Sequence, residues 1–380
     1  MPSTRTPTLA ALRGYAIARS LFAQTTLQAA FRRMGYVQAD PIRAPARAQD
    51  LILRHRVKDY RDGDLERRYP KLAIEEDALH NYGFLHRDLQ ALLHPRRIAR
   101  LSRVERSHPG LLEPVLAFVR ERGVAHPRDL DQHHGGKSLT NYWGGSSAAA
   151  THALDMLHYR GELRVVRRDA GIRVYAPATQ YALDRPDAGQ ETERVLLLLE
   201  RMVALYAPLP RASLRQLASM LRYGAPQLEK QLLHKGLITR ALESGRLRVV
   251  HVEGVDWMVP SAERIRGEAP ERVRLLAPFD PVVWDRRRFE LLWKWRYRFE
   301  AYTPEPKRKL GYYAMPLLWR DQVIGWANLR AADDRIEARV GFLDKRPRDA
   351  AFGRELDAEV ERFSVFMRTS KTPRISFSRR

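Results

Sequence analysis

Two side chains of complementary chemistry stand two positions apart in "GYVQADPIRAPARAQDLILRHRV": Gln38 and Asp40. On an extended segment, residues two apart point the same way, so this amide and carboxylate can enter one site while Ala39 faces away. The surroundings are cationic, with Arg43, Arg47, Arg54 and Lys58 following where a phosphate could reach them. A carboxylate facing DNA phosphate is repelled by about 1 to 4 kcal/mol for a close pair at high to intermediate dielectric. Such a cost needs a use for the charge. General-base activation of water is one, and stabilisation of an oxocarbenium-like deoxyribose as a glycosidic bond breaks is another; help of this kind is worth roughly 10² to 10⁴ in rate. The same spacing supports a plainer reading, in which Asp40 caps the turn before Pro41 and Gln38 is an ordinary polar residue of an edge strand. Spacing alone leaves both open.

Rival chemistries find less support. His80, His86 and His94 do not cluster tightly with carboxylates, and His133 with His134 reads as a loop, so no metal site is expected. "GGKSLTNYWGGSS" holds glycines and a Lys-Ser pair but lacks phosphate-loop spacing and follows no clear strand. Lys58 is the nearest downstream lysine to Gln38 and Asp40, which does not suggest Schiff-base chemistry. No organic cofactor is expected.

The chain has 380 residues, a formal net charge of +22, 44% hydrophobic and 29% charged residues, a composition of folded domains rather than general disorder. A charge that far from neutral raises the local concentration of anionic partners, nucleic acid foremost, although an arginine excess also follows from a GC-rich genome. Cysteine is absent, which removes disulfides, thiolate metal sites and thiol nucleophiles together. Arginines interrupt the opening apolar stretch, and Glu200 with Arg201 interrupts the most apolar run, so the expectation is a soluble, cytoplasmic, nucleoid-associated protein without a membrane anchor.

The elements that must carry these residues follow from periodicity. Apolar positions from Leu9 to Phe31 recur at helical spacing with a break near Thr25 and Thr26, predicting two helices. Gly35 ends the second, "YVQAD" is short and extended, and a basic helix follows Pro41 and Pro45. Helices before "ELRVVRRDAGIRVYAP" and before "TRALESGRLRVVHVEGVDWMVP" make two tandem winged-helix units, with a strand expected to follow the glycine that ends a helix at Gly161 and at Gly236. "RFEAYTP", "YYAMPLLWRDQVIGWANLRA" and "RIEARVGF" alternate as strands of a small antiparallel sheet or barrel with Asp321 and Gln322 at a hairpin turn, before an amphipathic helix and a basic tail able to move. The expected fold is α+β, mostly helical: tandem winged-helix domains followed by a small antiparallel β-barrel. Its segments are 1–115 with the Gln-x-Asp motif, 116–190 and 191–265 as the second and third winged helices, 266–345 as the barrel, and 346–380 as helix and tail. A winged helix offers a recognition helix and a wing to a duplex; Arg167 and Arg168 at a wing tip, and Lys137, Asn141, Tyr142 and Trp143 ahead of a helix, are the matching candidates for DNA contact.

Three stretches resemble the YcaQ-like winged-helix DNA glycosylases, which include AlkZ and the AlkX proteins. "YVQADPIRAPARAQDLILRHRVKDY" resembles their catalytic motif of glutamine, one residue, then glutamine or aspartate, with its basic helix. "SLTNYWGGSSAAATHALDMLHYRGELRVVRR" resembles their winged-helix segment, and "LLAPFDPVVWDRRRFELLWKWRYRFEAYTPEPKRKLGYYAMPLL" their C-terminal barrel. The resemblance implies a concave array of winged helices on double-stranded DNA, excising N7- or N3-alkylated purines, including those in interstrand crosslinks. By position it gives Asp40 the attacking water and the positive sugar, and Gln38 the placing of water or deoxyribose. N7 alkylation already makes a purine a good leaving group, so little acid catalysis is needed. Lys307, Arg308 and Lys309 become candidate phosphate contacts, although "PEPKRK" equally suits a solvated loop. "HNYGFLHRDLQALLHP" departs from the family's aromatic, His- and Glu-containing run and points to a different substrate range. The expected enzyme is a monofunctional, monomeric glycosylase; the alternative is a non-catalytic winged-helix DNA-binding protein or regulator, which Asp40→Asn would separate from it.

Overall fold

The hydroxyl oxygens of Thr8 and Thr26 accept from Ala11 N and Ala29 N, both at 3.2 Å, and so start the two expected helices, α1 (Leu9–Ser20) and α2 (Leu27–Met34). Gly35, at φ 73°, ends α2 and turns the chain into the short strand β1 (Tyr36–Gln38). Helix α3 (Ala48–Leu53) follows, buried along its whole length. The computed structural model describes residues 7–98, 101–134, 138–140, 146–178 and 188–378. The chain divides into two compact units, one of Met1–Leu65, Leu199–Leu217 and Gly236–Arg380, the other of Glu66–Leu198 and Ala218–Lys235.

In the first unit a five-stranded sheet runs in the order Val273–Leu275, Met315–Trp319, Gln322–Ala332, Arg335–Phe342, Arg374–Phe377. The first three junctions are antiparallel and the last is parallel, Glu337 opposite Arg374 through Val340 opposite Phe377. The expected antiparallel barrel is therefore an open sheet of mixed polarity. The reason lies in the helix Ala350–Met367, which buries Phe352, Leu356, Val360 and Phe363 and packs on the sheet, covering an apolar face that a barrel would have turned inward. That helix also serves as the crossover that brings the chain back parallel. The expected basic tail is thus the strand Arg374–Phe377.

Two further expectations change. "RFEAYTP" forms no strand, because its Glu300 is spent on holding a loop. After Gly236 comes the helix Leu237–Glu243, since Leu237, Ile238 and Ala241 bury one helical face, and the strand begins only at Leu247. The hairpin Leu247–Val252 and Val255–Pro260 is joined by Leu209–Pro210, which pairs with Met258 and Trp257.

In the second unit the helices Leu112–Arg122, Pro127–His134 and Ala149–Arg160 precede the hairpin Leu163–Asp169 and Ile172–Pro177. Ala125 bridges Tyr175 in antiparallel fashion, adding a short third strand to that hairpin. A second hairpin, Ile74–Ala78 with Tyr82–His86, carries three buried carboxylates, Glu75, Glu76 and Asp77. Each is paired: Glu75 with Arg164 and Arg87, Glu76 with Arg168, and Asp77 with Arg96 and His94. Buried charges are tolerated only when matched in this way.

Candidate active site

β1 ends at Gln38, whose side chain is buried at 8% exposure, and the chain then opens into a loop in which Asp40 is half-buried. The carboxylate of Asp40 is held by its own loop: Oδ1 accepts from Ile42 N at 2.9 Å, the closed ring of an Asx turn. The turn ahead of Pro41 anticipated from the sequence is real, and it uses one oxygen. Oδ2 has no partner among the described residues. Asp40 N donates to Oε1 of buried Gln49 at 3.3 Å, so α3 fixes the loop from below. Burial raises the Asp40 carboxyl above the usual carboxylate range, against the lowering effect of the Ile42 bond. A carboxylate poised with one oxygen tied and one free, and with its basicity raised, is suited to accept a proton.

The segment behind it is rigidly tied. Arg56 donates from Nη1 and Nη2 to the two oxygens of Asp280 at 2.7 and 3.0 Å, both side chains being fully buried. Arg54 lies over the Phe363 ring at 3.6 Å and pairs with buried Glu359. His55 Nε2 meets Leu275 O at 3.0 Å. Asp50 accepts from Tyr60 Oη at 2.7 Å and Gly63 N at 3.2 Å, and burial pushes its carboxyl up to about 6.

The loop from Phe299 to Ala314 brings aromatic rings within the electrostatic reach of Asp40, and sequence reasoning did not single them out. Glu300 Oε2 accepts from Lys309 N and Leu310 N, both at 2.8 Å, while Asn328 donates to Leu310 O at 2.7 Å and accepts from Tyr313 N at 3.3 Å. Gly311, at φ 114°, is required there: a Cβ would stand 2.6 Å from the Asn328 amide. Phe299 meets Tyr302 and Tyr313 edge-on, at 6.1 and 5.4 Å between centroids. Tyr313 is buried, yet its hydroxyl has no hydrogen-bond partner among the described residues. Tyr302 is 70% and Tyr312 43% exposed. Burial first, and the charge of Asp40 second, raise the phenols of Tyr302 and Tyr313 above their ordinary range. The available signal was the interleaving of tyrosine with cations in "AYTPEPKRKLGYY".

The candidate DNA contacts divide by what already holds them. Lys307 and Lys309 are exposed, and Arg308 lies 5.0 Å over the Tyr312 ring while donating to Thr303 O at 2.8 Å. Arg43 is exposed beside Asp62, Arg47 is half-buried at the start of α3, and Arg167 is half-exposed with its Nε 3.0 Å from Asp169. Arg54 is corrected: its guanidinium is buried on Glu359 and meets no phosphate in this conformation. Arg168 is likewise committed, with Nη2 2.6 Å and Nε 2.8 Å from the two oxygens of Glu76. Off the apolar face of its helix, for Arg54, and at a wing tip, for Arg168, a cation reads as solvent-facing, and neither position reveals a carboxylate arriving from far along the chain. Lys137, Asn141, Tyr142 and Trp143 lie outside the described residues.

Among the described residues, no group of three or more His, Asp or Glu side chains is arranged to hold a metal ion, and no helix is long and apolar enough to cross a membrane. The solved structure of the DNA glycosylase AlkZ of Streptomyces sahachiroi superposes with a TM-score of 0.62 at 16% identity, over 98% of this chain and all of that one, which establishes a shared mixed α and β fold. The profile of the DNA glycosylases described as AlkZ-like matches residues 31–366. That match takes in the Gln38 and Asp40 loop, the buried anchors behind it and the tyrosine loop, and on it the chain belongs to the AlkZ-like family of DNA glycosylases, enzymes of DNA repair.

Proposed function

We propose that this protein is a monofunctional glycosylase that hydrolyses the N-glycosidic bond of N7- or N3-alkylated purines in double-stranded DNA. The observation that carries the reading is Asp40 itself, one oxygen locked by the Ile42 N–H and the other without a partner among the described residues, half-buried in a strongly basic chain. As the bond from C1′ to the purine nitrogen breaks, its electron pair leaves with the purine, which alkylation had made cationic and which departs neutral. Asp40 stabilises the positive charge then developing on the sugar and takes the proton of the water that adds to C1′. Gln38 positions that water or the sugar. The hydroxyl of Tyr313, short of an acceptor among the described residues and within reach of the Asp40 charge, supplies a hydrogen bond to the water or carboxylate once substrate is seated.

Lys307, Lys309 and Arg43 neutralise phosphates on either side, and Tyr302 and Tyr312 meet the nucleobases. The helices and hairpins of 112–177 and of 188–260 act as winged helices that cradle the duplex. Removal of a purine from one strand of an interstrand crosslink would use the same chemistry, and a monomer on nucleoid DNA is sufficient for it. The plainer reading, Asp40 as turn former in a DNA-binding protein, draws on the Asx turn. The test is base release from a duplex carrying one N7-alkylguanine, in chelator, by the wild type and by Asp40→Asn. Release by the wild type alone supports hydrolysis at Asp40. Equal binding with no release by either protein, from monoadduct or crosslink, would leave only the binding reading.

A further inference from the structure

A second cationic site lies in the first unit. A cleft of about 690 Å³ is lined by Arg211 and Arg215 of the helix Arg211–Leu221, His251 and Asp256 of the hairpin, and Arg287 and Leu291 of the helix Arg286–Trp293. Its volume falls in the range of sites that hold small ligands or ligand fragments. Three guanidiniums converge on it against one carboxylate. That carboxylate is already engaged, Asp256 standing 3.1 Å from His251 Nδ1 and 3.8 Å from Arg211 Nη1. Arg215 and Arg287 are exposed and pair with no acidic group among the described residues. The Nε of Arg211 is shielded from solvent and has no hydrogen-bond partner there. A shielded N–H of a guanidinium without an acceptor is costly, and an anion in the cleft would satisfy it.

We infer that this cleft binds a phosphate group, held by the guanidiniums of Arg211, Arg215 and Arg287. Guanidinium forks match phosphate oxygens two at a time, and the apolar wall of Leu291 leaves room for the ester substituent. The phosphate can come from the DNA backbone or from a small phosphorylated molecule, and the chemistry of recognition is the same. The inference stands apart from the glycosylase reading, because it invokes neither Gln38 nor Asp40.

The test compares the full-length wild type with Arg215→Ala/Arg287→Ala, and with Arg264→Ala/Lys345→Ala, which removes the same charge at exposed positions elsewhere. Undamaged duplex binding is measured over a range of salt, and inorganic phosphate and pyrophosphate are titrated by calorimetry. If the backbone is the source, the cleft variant binds duplex about tenfold more weakly than the control variant, and its log-log salt slope is smaller by about 1 to 2, as expected for one or two lost phosphate contacts. If a small ligand is the source, pyrophosphate binds the wild type and the control but not the cleft variant, and duplex binding by the two variants is equal. Equal duplex binding together with no loss of phosphate or pyrophosphate binding overturns the site. A loss of base release by Asp40→Asn, or its absence, bears on the other reading and leaves this result untouched.

Discussion

Arg56 and Asp280, 224 positions apart, form a two-pronged ion pair from which solvent is wholly excluded. It fastens the segment that follows Asp40 to the "FDP" turn, where Asp280 also accepts from Val282 N at 3.0 Å. Asp280→Ala strands a buried guanidinium, and a stability loss of about 3 to 5 kcal/mol is expected. Urea unfolding followed by circular dichroism measures it. An unchanged midpoint would mean that the pair does not anchor this unit.

Asp40→Asn keeps an oxygen for the Ile42 N–H and removes the charge. Single-turnover base release should fall by about 10² or more, with duplex affinity kept or slightly improved. In the wild type a general base must be ionised, so the rate should decline as pH falls through the Asp40 pKa. Because burial raises that value, the decline should set in above the usual carboxylate range. The residual rate of the variant should lack that limb; a variant that retains it would assign the titration to another group.

Tyr313→Phe deletes a buried hydroxyl that has no partner among the described residues and leaves the edge contact with Phe299 available. A purely structural tyrosine would make this change neutral, or stabilising by up to about 1 kcal/mol. If the hydroxyl acts on water or carboxylate, the single-turnover rate falls about tenfold while the melting temperature holds. A rate equal to wild type would remove Tyr313 from the site.

Gly311→Ala places a methyl 2.6 Å from the Asn328 amide on a backbone at φ 114°. The expected cost is about 1 to 3 kcal/mol. Disturbing the loop that carries Tyr312 and Tyr313 should lower base release beyond what the loss of folded protein explains. Thermal melts and rates normalised to folded fraction separate the two effects.

Asp50 gives a pH signature of stability. Its carboxyl, at about 6 when folded against an ordinary 3.8, holds a proton that the unfolded chain has already released in that interval. Folding therefore takes up a proton there, and the contribution of Asp50 to stability falls as pH rises from about 4 to 6. Asp50→Asn retains an acceptor for Tyr60 and carries no charge. Its stability relative to wild type should rise across that window, by at most about 3 kcal/mol. A difference independent of pH would show that Asp50 is not buried with its charge at neutral pH.

Local signals were legible from residues alone. Thr26 and Gly35 marked helix ends, and the alternation of the strands after Gly161 marked a hairpin, whereas the hairpin of Ile74–Ala78 and Tyr82–His86, with its buried acidic strand, was hidden. The Gln38 and Asp40 pair stood out because an acid in basic surroundings has to be explained. What stayed hidden depended on distant partners. Arg54 and Arg168 look like solvated cations until Glu359 and Glu76 arrive, and the alternation of "RFEAYTP" says nothing of Glu300 turning back to cap a loop. Barrel closure was likewise invisible, since an alternating strand buries one face whether a helix or its own sheet covers it.

The bond between Asp40 Oδ1 and Ile42 N also couples the shape of this loop to the length of one side chain. The ring it closes is made by an acceptor on the γ-carbon; a side chain one methylene longer, glutamate or the glutamine that the family's motif also takes at this place, reaches past the N–H and leaves Ile42 N to another partner. An exchange between aspartate and glutamine at this place therefore alters two things at once, the reach of the group toward a lesion and the shape of the loop that presents it.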